Sequence, residues 1–160
     1  MAFAPAPLQP LERGYLTVLR LQSAIGWLIL VALATMADGV LHLRTGIPFG
    51  VVIAPILMFG MISIVFLAPG RWRRWGYAFT DRELHVARGW LTRVHTVVPV
   101  ARVQHIDVSQ GPIERHAGVA TLSLHTAGTA NSLVVLPGIS RQRAEDIRDA
   151  IRGRISDAAW

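Results

Sequence analysis

Arg102–Gly128 reads RVQHIDVSQGPIERHAGVATLSLHTAG, and this stretch decides the fold. Val103, Ile106 and Val108 stand against Gln104, His105, Asp107 and Ser109, the period of two expected of a half-buried strand. Gly111-Pro112 breaks the run. Ile113–Ala117 makes a short amphipathic corner, and alternation resumes through Val119, Thr121, Leu122, Ser123, Leu124 and His125. The pattern predicts strand, helical corner, strand. Gly111, between a strand and a proline, is expected to hold a backbone conformation that valine would resist.

The same period extends to both sides. Upstream, Tyr77 and Phe79, then Leu84 and Val86, alternate about a turn at Thr80-Asp81-Arg82, and Gly89 turns the chain again. Leu91–Val100 continues as a strand. Downstream, a loop at Ala127–Asn131 leads to a strand at Ser132–Leu136, which Pro137-Gly138 should end. Ser140 is a good N-cap for a last helix. In that helix Ala144, Ile147, Ile151 and Ile155 form one apolar stripe, with Arg143, Asp146, Arg148, Asp149 and Arg152 opposite and Gly153 near the end. Such a stripe must lie on something, here the open end of a bent antiparallel sheet or barrel of six strands.

Before Arg71 the pattern changes kind. Of the 160 residues 52% are hydrophobic, mean hydropathy is +0.41, and the excess is concentrated here. Leu21–Ala37 and Thr45–Gly70 contain no charged side chain. Two membrane-spanning helices are predicted, at about 16–38 and 47–69, after an irregular tail at 1–15 and before a domain at 71–160. Pro48 suits the first turn of the second helix, Pro55 should kink it, and Pro69-Gly70 should stop it. Asp38–Gly46 reads as the connection, and with Arg20 snorkelling toward the headgroups neither span holds a buried ionisable residue. Trp27 is an apolar anchor with no special role. Arg71, Arg73 and Arg74, with Trp72 and Trp75 as interface anchors, place both termini on the cytoplasmic side. No basic segment precedes a short apolar core near Met1, so a cleaved signal peptide is not expected.

Composition excludes several chemistries. There is no Cys, hence no disulfide, thiolate metal site or Cys nucleophile. Every basic residue is Arg, so Schiff-base and phosphate-loop lysine chemistry are absent. His85, His95, His105, His116 and His125 lack paired metal-ligand spacing, and no metal or cofactor is expected. Ser109, Ser123 and Thr126 lack a nucleophile elbow, so catalysis is not expected. A net charge of +6 without a stacking ladder or recognition helix argues against nucleic acid. Two clusters remain. Gln104, His105, Asp107 and Gln110 form either a hydrogen-bonded turn into Pro112 or a polar contact surface for a protein partner. Arg71, Arg73 and Arg74 are candidate lipid-headgroup contacts, with Arg82, Arg88, Arg93 and Arg102 extending a positive face toward an anionic leaflet.

Three segments carry a resemblance: YAFTDRELHVARGWLTR from Tyr77, VVPVARVQHIDVSQGPIERHAGVATLSLHTAG from Val97, and VVLPGIS from Val134. Together they resemble the bacterial PH-like domain of the YdbS-like membrane protein family over roughly 71–152. The resemblance implies a pleckstrin-homology-like fold, a partly open barrel of two sheets capped by a helix, behind a transmembrane hairpin. Such folds commonly have seven strands, so a short one is expected within Trp90–Val100. It also implies a bacterial inner membrane, no established enzymatic activity, and pairing with a larger related membrane protein. The expected function is a membrane-tethered, non-catalytic scaffold binding a protein partner or a second copy. The alternatives are an anionic-lipid headgroup-binding module and an accessory subunit of a membrane enzyme or transport complex.

Overall fold

Gln9–Pro10 forms a two-residue strand, β1, ahead of the apolar half of the chain. It pairs antiparallel with β2 (Gly76–Phe79) through Gln9–Tyr77 and Pro10–Gly76. The structure, a computed structural model, describes residues 7–157 apart from 81, 90–91 and 128–132, and only the backbone of 155–157. The tail expected to be irregular thus enters a sheet. Pro10 lacks a donor and suits an edge strand, and Leu11 is buried in the core. The extra strand comes from here; among the described residues of Trp90–Val100 there is only the strand Val94–Pro99.

The helix α1 runs Arg13–Thr45 and α2 runs Ile53–Trp72, both long and apolar enough to cross a membrane. At about 1.5 Å per residue they measure roughly 50 and 30 Å. Helix α1 continues past the expected end at Asp38 and closes at Gly46, whose φ of 70° lets its N–H return to His42 O at 2.9 Å. The connection is therefore 46–52, and Asp38 lies inside the first apolar helix. It is buried there. Its carboxylate accepts from the N–H groups of Gly50 (3.1 Å), Val52 (3.0 Å) and Ile53 (3.0 Å), donors that the start of α2 leaves without helical partners.

The prolines also act differently from expectation. Pro48 lies in the connection. Pro55 falls in the first turn of α2, where a missing N–H breaks no bond. Pro69 perturbs the helix instead of stopping it. Ser63–Leu67 widens into a π turn, with Ala68 N–H reaching back to Ser63 O, and the helix runs on to Trp72. A proline ring presses on the carbonyl four residues earlier, and a widened turn relieves that contact. Trp27 joins the two helices: its ring lies 5.7 Å from Phe59 in a T-shaped contact, and a Cβ on buried Gly60 would stand 3.0 Å from it.

Beyond α2, β3 (Glu83–Arg88) and β4 (Val94–Pro99) complete a first sheet of order β1-β2-β3-β4. The second sheet, order β5-β6-β7, consists of Val103–Ser109, Ala120–Thr126 and Leu133–Ile139. Between β5 and β6 the short helix α3 (Pro112–His116) turns the corner. Strand β7 runs through Pro137-Gly138 rather than ending there, and α4 (Arg141–Asp157) runs through Gly153. Ser140 caps α4 as expected, its Oγ accepting from Arg143 N–H at 3.2 Å. Leu84, Val86 and Val98 of the first sheet meet Leu122, Leu124 and Leu136 of the second, and Ala144, Ile147 and Ile151 of α4 seal the core. The side chain of Ile155 and most of the loop after Ala127 lie outside the described residues.

The helices do not hang from the barrel on a linker. Glu12 N–H donates to Gly138 O at 2.9 Å, and Trp72 Nε1 donates to Glu12 O at 3.1 Å. Gly14 packs against the corner, where an added Cβ would collide with Ala117 O and stand 2.8 Å from Val119 Cγ1. Gly138 has φ 71° and faces Tyr15, leaving no room for a Cβ. The strand–corner–strand unit is thus the seat for the first turn of α1. Gly111, by contrast, has an ordinary extended backbone (φ −72°, ψ 171°), and its Cβ would meet only Glu114 Oε2 at 3.7 Å. The conformational demand expected there is absent.

Candidate functional site: an arginine-lined cleft

Register places Pro10, Gly76, Ala87 and His95 in one cross-strand row of the first sheet. In the neighbouring row Tyr77 and Val86 point into the core, so strand alternation puts the Pro10–His95 row on the outer face. Gly76 and Ala87 add almost no side-chain height, and the sheet is shallow there. The row floors a cleft of about 430 Å³. Arg73 and Arg74 enter from the turn after α2, Arg88 from the end of β3, and Arg93 from just before β4; Leu8, Gln9, Trp75 and Val94 complete the lining. No carboxylate is among these lining residues.

Planar guanidinium forks match the oxygens of phosphate bidentately, and several around one cavity favour a compact anion. His95 adds a ring nitrogen. Its ring lies 5.4 Å from that of His85, whose Nε2 is 3.2 Å from Glu83 Oε2. The outer face of the sheet thus carries a positive cleft and, beyond it, an imidazole pair of which His85 meets a carboxylate.

Of the expected headgroup contacts, Arg73 and Arg74 line the cleft. Arg71 is exposed in the last turn of α2 and does not. Arg88 and Arg93 join from the wider positive face, whereas Arg82 and Arg102 lie elsewhere. The other expected cluster divides. Gln110 Nε2 donates to Val119 O at 2.8 Å, which ties the two ends of the corner together. Glu114 completes that turn, accepting from Gly111 N–H at 2.8 Å and Thr121 Oγ at 2.6 Å. Gln104 is exposed beside a bulge in β5. On the outer face of β5, His105 Nε2 meets Asp107 Oδ1 at 3.0 Å, and His125 reaches across from β6 to Asp107 Oδ2 at 3.6 Å. Among the described residues no group of three or more His, Asp or Glu is arranged to hold a metal ion.

Sequence reasoning missed the floor of the cleft and the role of Asp38. Counting outward from the turn after Phe79 pairs Gly76 with Ala87, so two small residues facing each other were available as a signal. Strand β1 is too short to show a period, and without it the cleft has no third wall.

Comparisons with known proteins agree with this architecture. The family model described as Bacterial PH domain matches residues 18–155, the helices included. The chain is 32% identical over 160 residues to the UPF0699 transmembrane protein YdbS of Bacillus subtilis, covering 94% of this chain and 96% of that one. It is 24% identical over 104 residues to the transmembrane protein YdbT of the same organism, covering 64% of this chain and 20% of that larger protein. A crystal structure of a protein with a pleckstrin-homology domain from Shewanella loihica aligns with a TM-score of 0.40 at 19% identity, over 53% of this chain and 74% of that one, a likeness too distant to build on. With the family model matched from the first helix to the last, and YdbS matched over nearly its whole length, the chain belongs to the bacterial PH domain family as a YdbS-like membrane protein.

Proposed function

We propose that this protein is a non-catalytic, membrane-tethered PH-like module that binds the headgroup of an anionic phospholipid in the Arg73–Arg74–Arg88–Arg93 cleft. The observation that carries the reading is position: the cleft opens one residue after α2 ends at Trp72. Arg71, Arg73 and Arg74 flank the domain end of the hairpin, and the opposite connection at 46–52 has no charge. That asymmetry supports both termini in the cytoplasm of a bacterial cell, with the domain against the inner leaflet of the inner membrane. The tether keeps the cleft at a high effective concentration of its ligand, so a weak site suffices.

A second reading rests on the exposed His105–Asp107–His125 trio. It offers a polar surface to a protein partner, such as a larger relative or a second copy, and suits a scaffold or accessory subunit. Gln110, engaged within the corner, contributes nothing to that surface.

The test uses the full chain purified from membranes in mild detergent, with retained lipid quantified by mass. Wild type is expected to be enriched in anionic over zwitterionic phospholipid, Arg88→Gln/Arg93→Gln to lose the enrichment, and Arg71→Gln to keep it. Displacement by inorganic phosphate alone separates a free-phosphate site from a lipid site. Equal enrichment in wild type and the double variant overturns the reading, and a stoichiometric co-purifying protein lost on His105→Ala/His125→Ala supports the second one.

A further inference from the structure

The connection between the two helices has the composition of a membrane-embedded segment, and the protein itself holds most of its backbone N–H groups. Residues 46–52 read GIPFGVV, without a polar or charged side chain. Surface loops facing water are built from Ser, Thr, Asn, Asp, Gly and Pro. Within 46–52 the exposed side chains are apolar: Phe49 is 56% exposed, Val51 54% and Ile47 38%. An apolar groove of about 430 Å³ along Leu33, Met36, Val40 and Leu41 continues down the same end of α1.

Most backbone N–H groups of the connection have partners within the protein, those of Phe49 and Val51 excepted. Gly46 N–H bonds to His42 O, and Ile47 N–H to Thr45 Oγ1. Pro48 has no N–H. Gly50, Val52 and Ile53 N–H all go to the Asp38 carboxylate, and Ile47 O lies 2.8 Å from His42 Nδ1. Water would satisfy these groups at no structural cost, whereas lipid cannot, and irregular backbone near lipid needs partners from the protein itself. Three side chains of α1, Asp38, His42 and Thr45, supply them. Length agrees: α2 alone matches the hydrocarbon thickness at roughly 30 Å, and α1 rises about 10 Å beyond Asp38, the depth of an interfacial layer.

We infer that residues 46–52 lie in the headgroup–acyl boundary of the leaflet opposite the PH-like domain, with Phe49 and Val51 inserted among lipid chains. The protein then presents little beyond Arg44 to the aqueous phase on that side. The inference rests on the hairpin crossing the bilayer, and it fails or stands independently of the arginine cleft.

The absence of cysteine makes the test direct. The full chain carrying Phe49→Cys or Arg44→Cys is labelled with an environment-sensitive fluorophore and reconstituted in phosphatidylcholine–phosphatidylglycerol vesicles. Quenching by lipids spin-labelled high on the acyl chain is compared with quenching by aqueous iodide. The Phe49 probe is expected to be quenched by the lipid and protected from iodide several-fold relative to Arg44. Val51→Cys repeats the measurement, so that one misfolded variant does not decide it. Iodide access at positions 49 and 51 equal to that at 44 overturns the inference.

Discussion

The carboxylate of Asp38 and the backbone N–H of Ile53 are 3.0 Å apart, a bond between two helices. With Gly50 and Val52 on the same carboxylate, one side chain organises the whole start of α2. Asp38→Leu leaves three donors without their acceptor, at about 1–3 kcal/mol each. A large drop in the unfolding temperature of the detergent-solubilised protein is expected, with Asp38→Asn in between. An unchanged Tm in Asp38→Leu would show that the connection finds other partners.

Glycines that look alike in sequence should differ sharply on substitution. Gly138→Ala meets both a left-handed backbone and the Tyr15 ring, and Gly14→Ala meets Ala117 O. Each is expected to destabilise the domain by more than about 2 kcal/mol. Gly111→Ala has room and an ordinary backbone, and a change within about 0.5 kcal/mol is expected. Denaturant titration of the three variants checks the order.

Filling the cleft floor should abolish lipid retention without touching charge. Ala87→Leu raises the row shared with Gly76 and His95. Anionic-lipid enrichment is expected to fall as far as in Arg88→Gln/Arg93→Gln, with the melting temperature preserved. Full retention would place the bound lipid elsewhere.

Gln110 and Asp107 separate structure from contact. Gln110→Ala removes the bond to Val119 O and should cost about 1 kcal/mol of stability. Asp107→Asn changes an exposed pair and should leave stability within about 0.5 kcal/mol. Thermal melts of both variants read this directly.

Acid sensitivity has one assignable component on α4. The side-chain hydrogen bond from Arg148, aided by the charges of Arg148 and Arg152, holds the Asp149 carboxyl below its ordinary range. Because the folded value is depressed, the stabilisation is present above the ordinary carboxyl value of about 3.9 and lost as pH falls through the folded one. Arg148→Gln is expected to move the Asp149 titration upward, seen by carboxyl NMR, and to remove this contribution, small for an exposed pair, at neutral pH.

Much of this architecture was legible because burial follows the two-residue period. Leu84 and Val86, then Leu122 and Leu124, face inward as alternation requires, and Ala144, Ile147 and Ile151 line one side of α4. Elements without a period were not legible. Strand β1 has two residues, and its identity depends on a partner 66 positions later, as the pairing of Pro10 with Gly76 shows. Asp38 read as the boundary of an apolar run because charge ordinarily ends one; only its three donors explain why it continues inside. All four cleft arginines were named from the sequence, Arg73 and Arg74 beside the span and Arg88 and Arg93 on a wider positive face. That these four converge while Arg71, Arg82 and Arg102 do not follows from sheet register, which short-range patterns do not encode.

Strand β1 is synthesised before either helix, and its partner after both. It can close the sheet only when the two ends of the hairpin stand in the same compartment, so an odd number of crossings leaves it stranded. The barrel therefore counts passages through the bilayer. A chain halted with one helix inserted lacks β1 and leaves Leu11 unburied, an open edge that distinguishes unfinished molecules from finished ones.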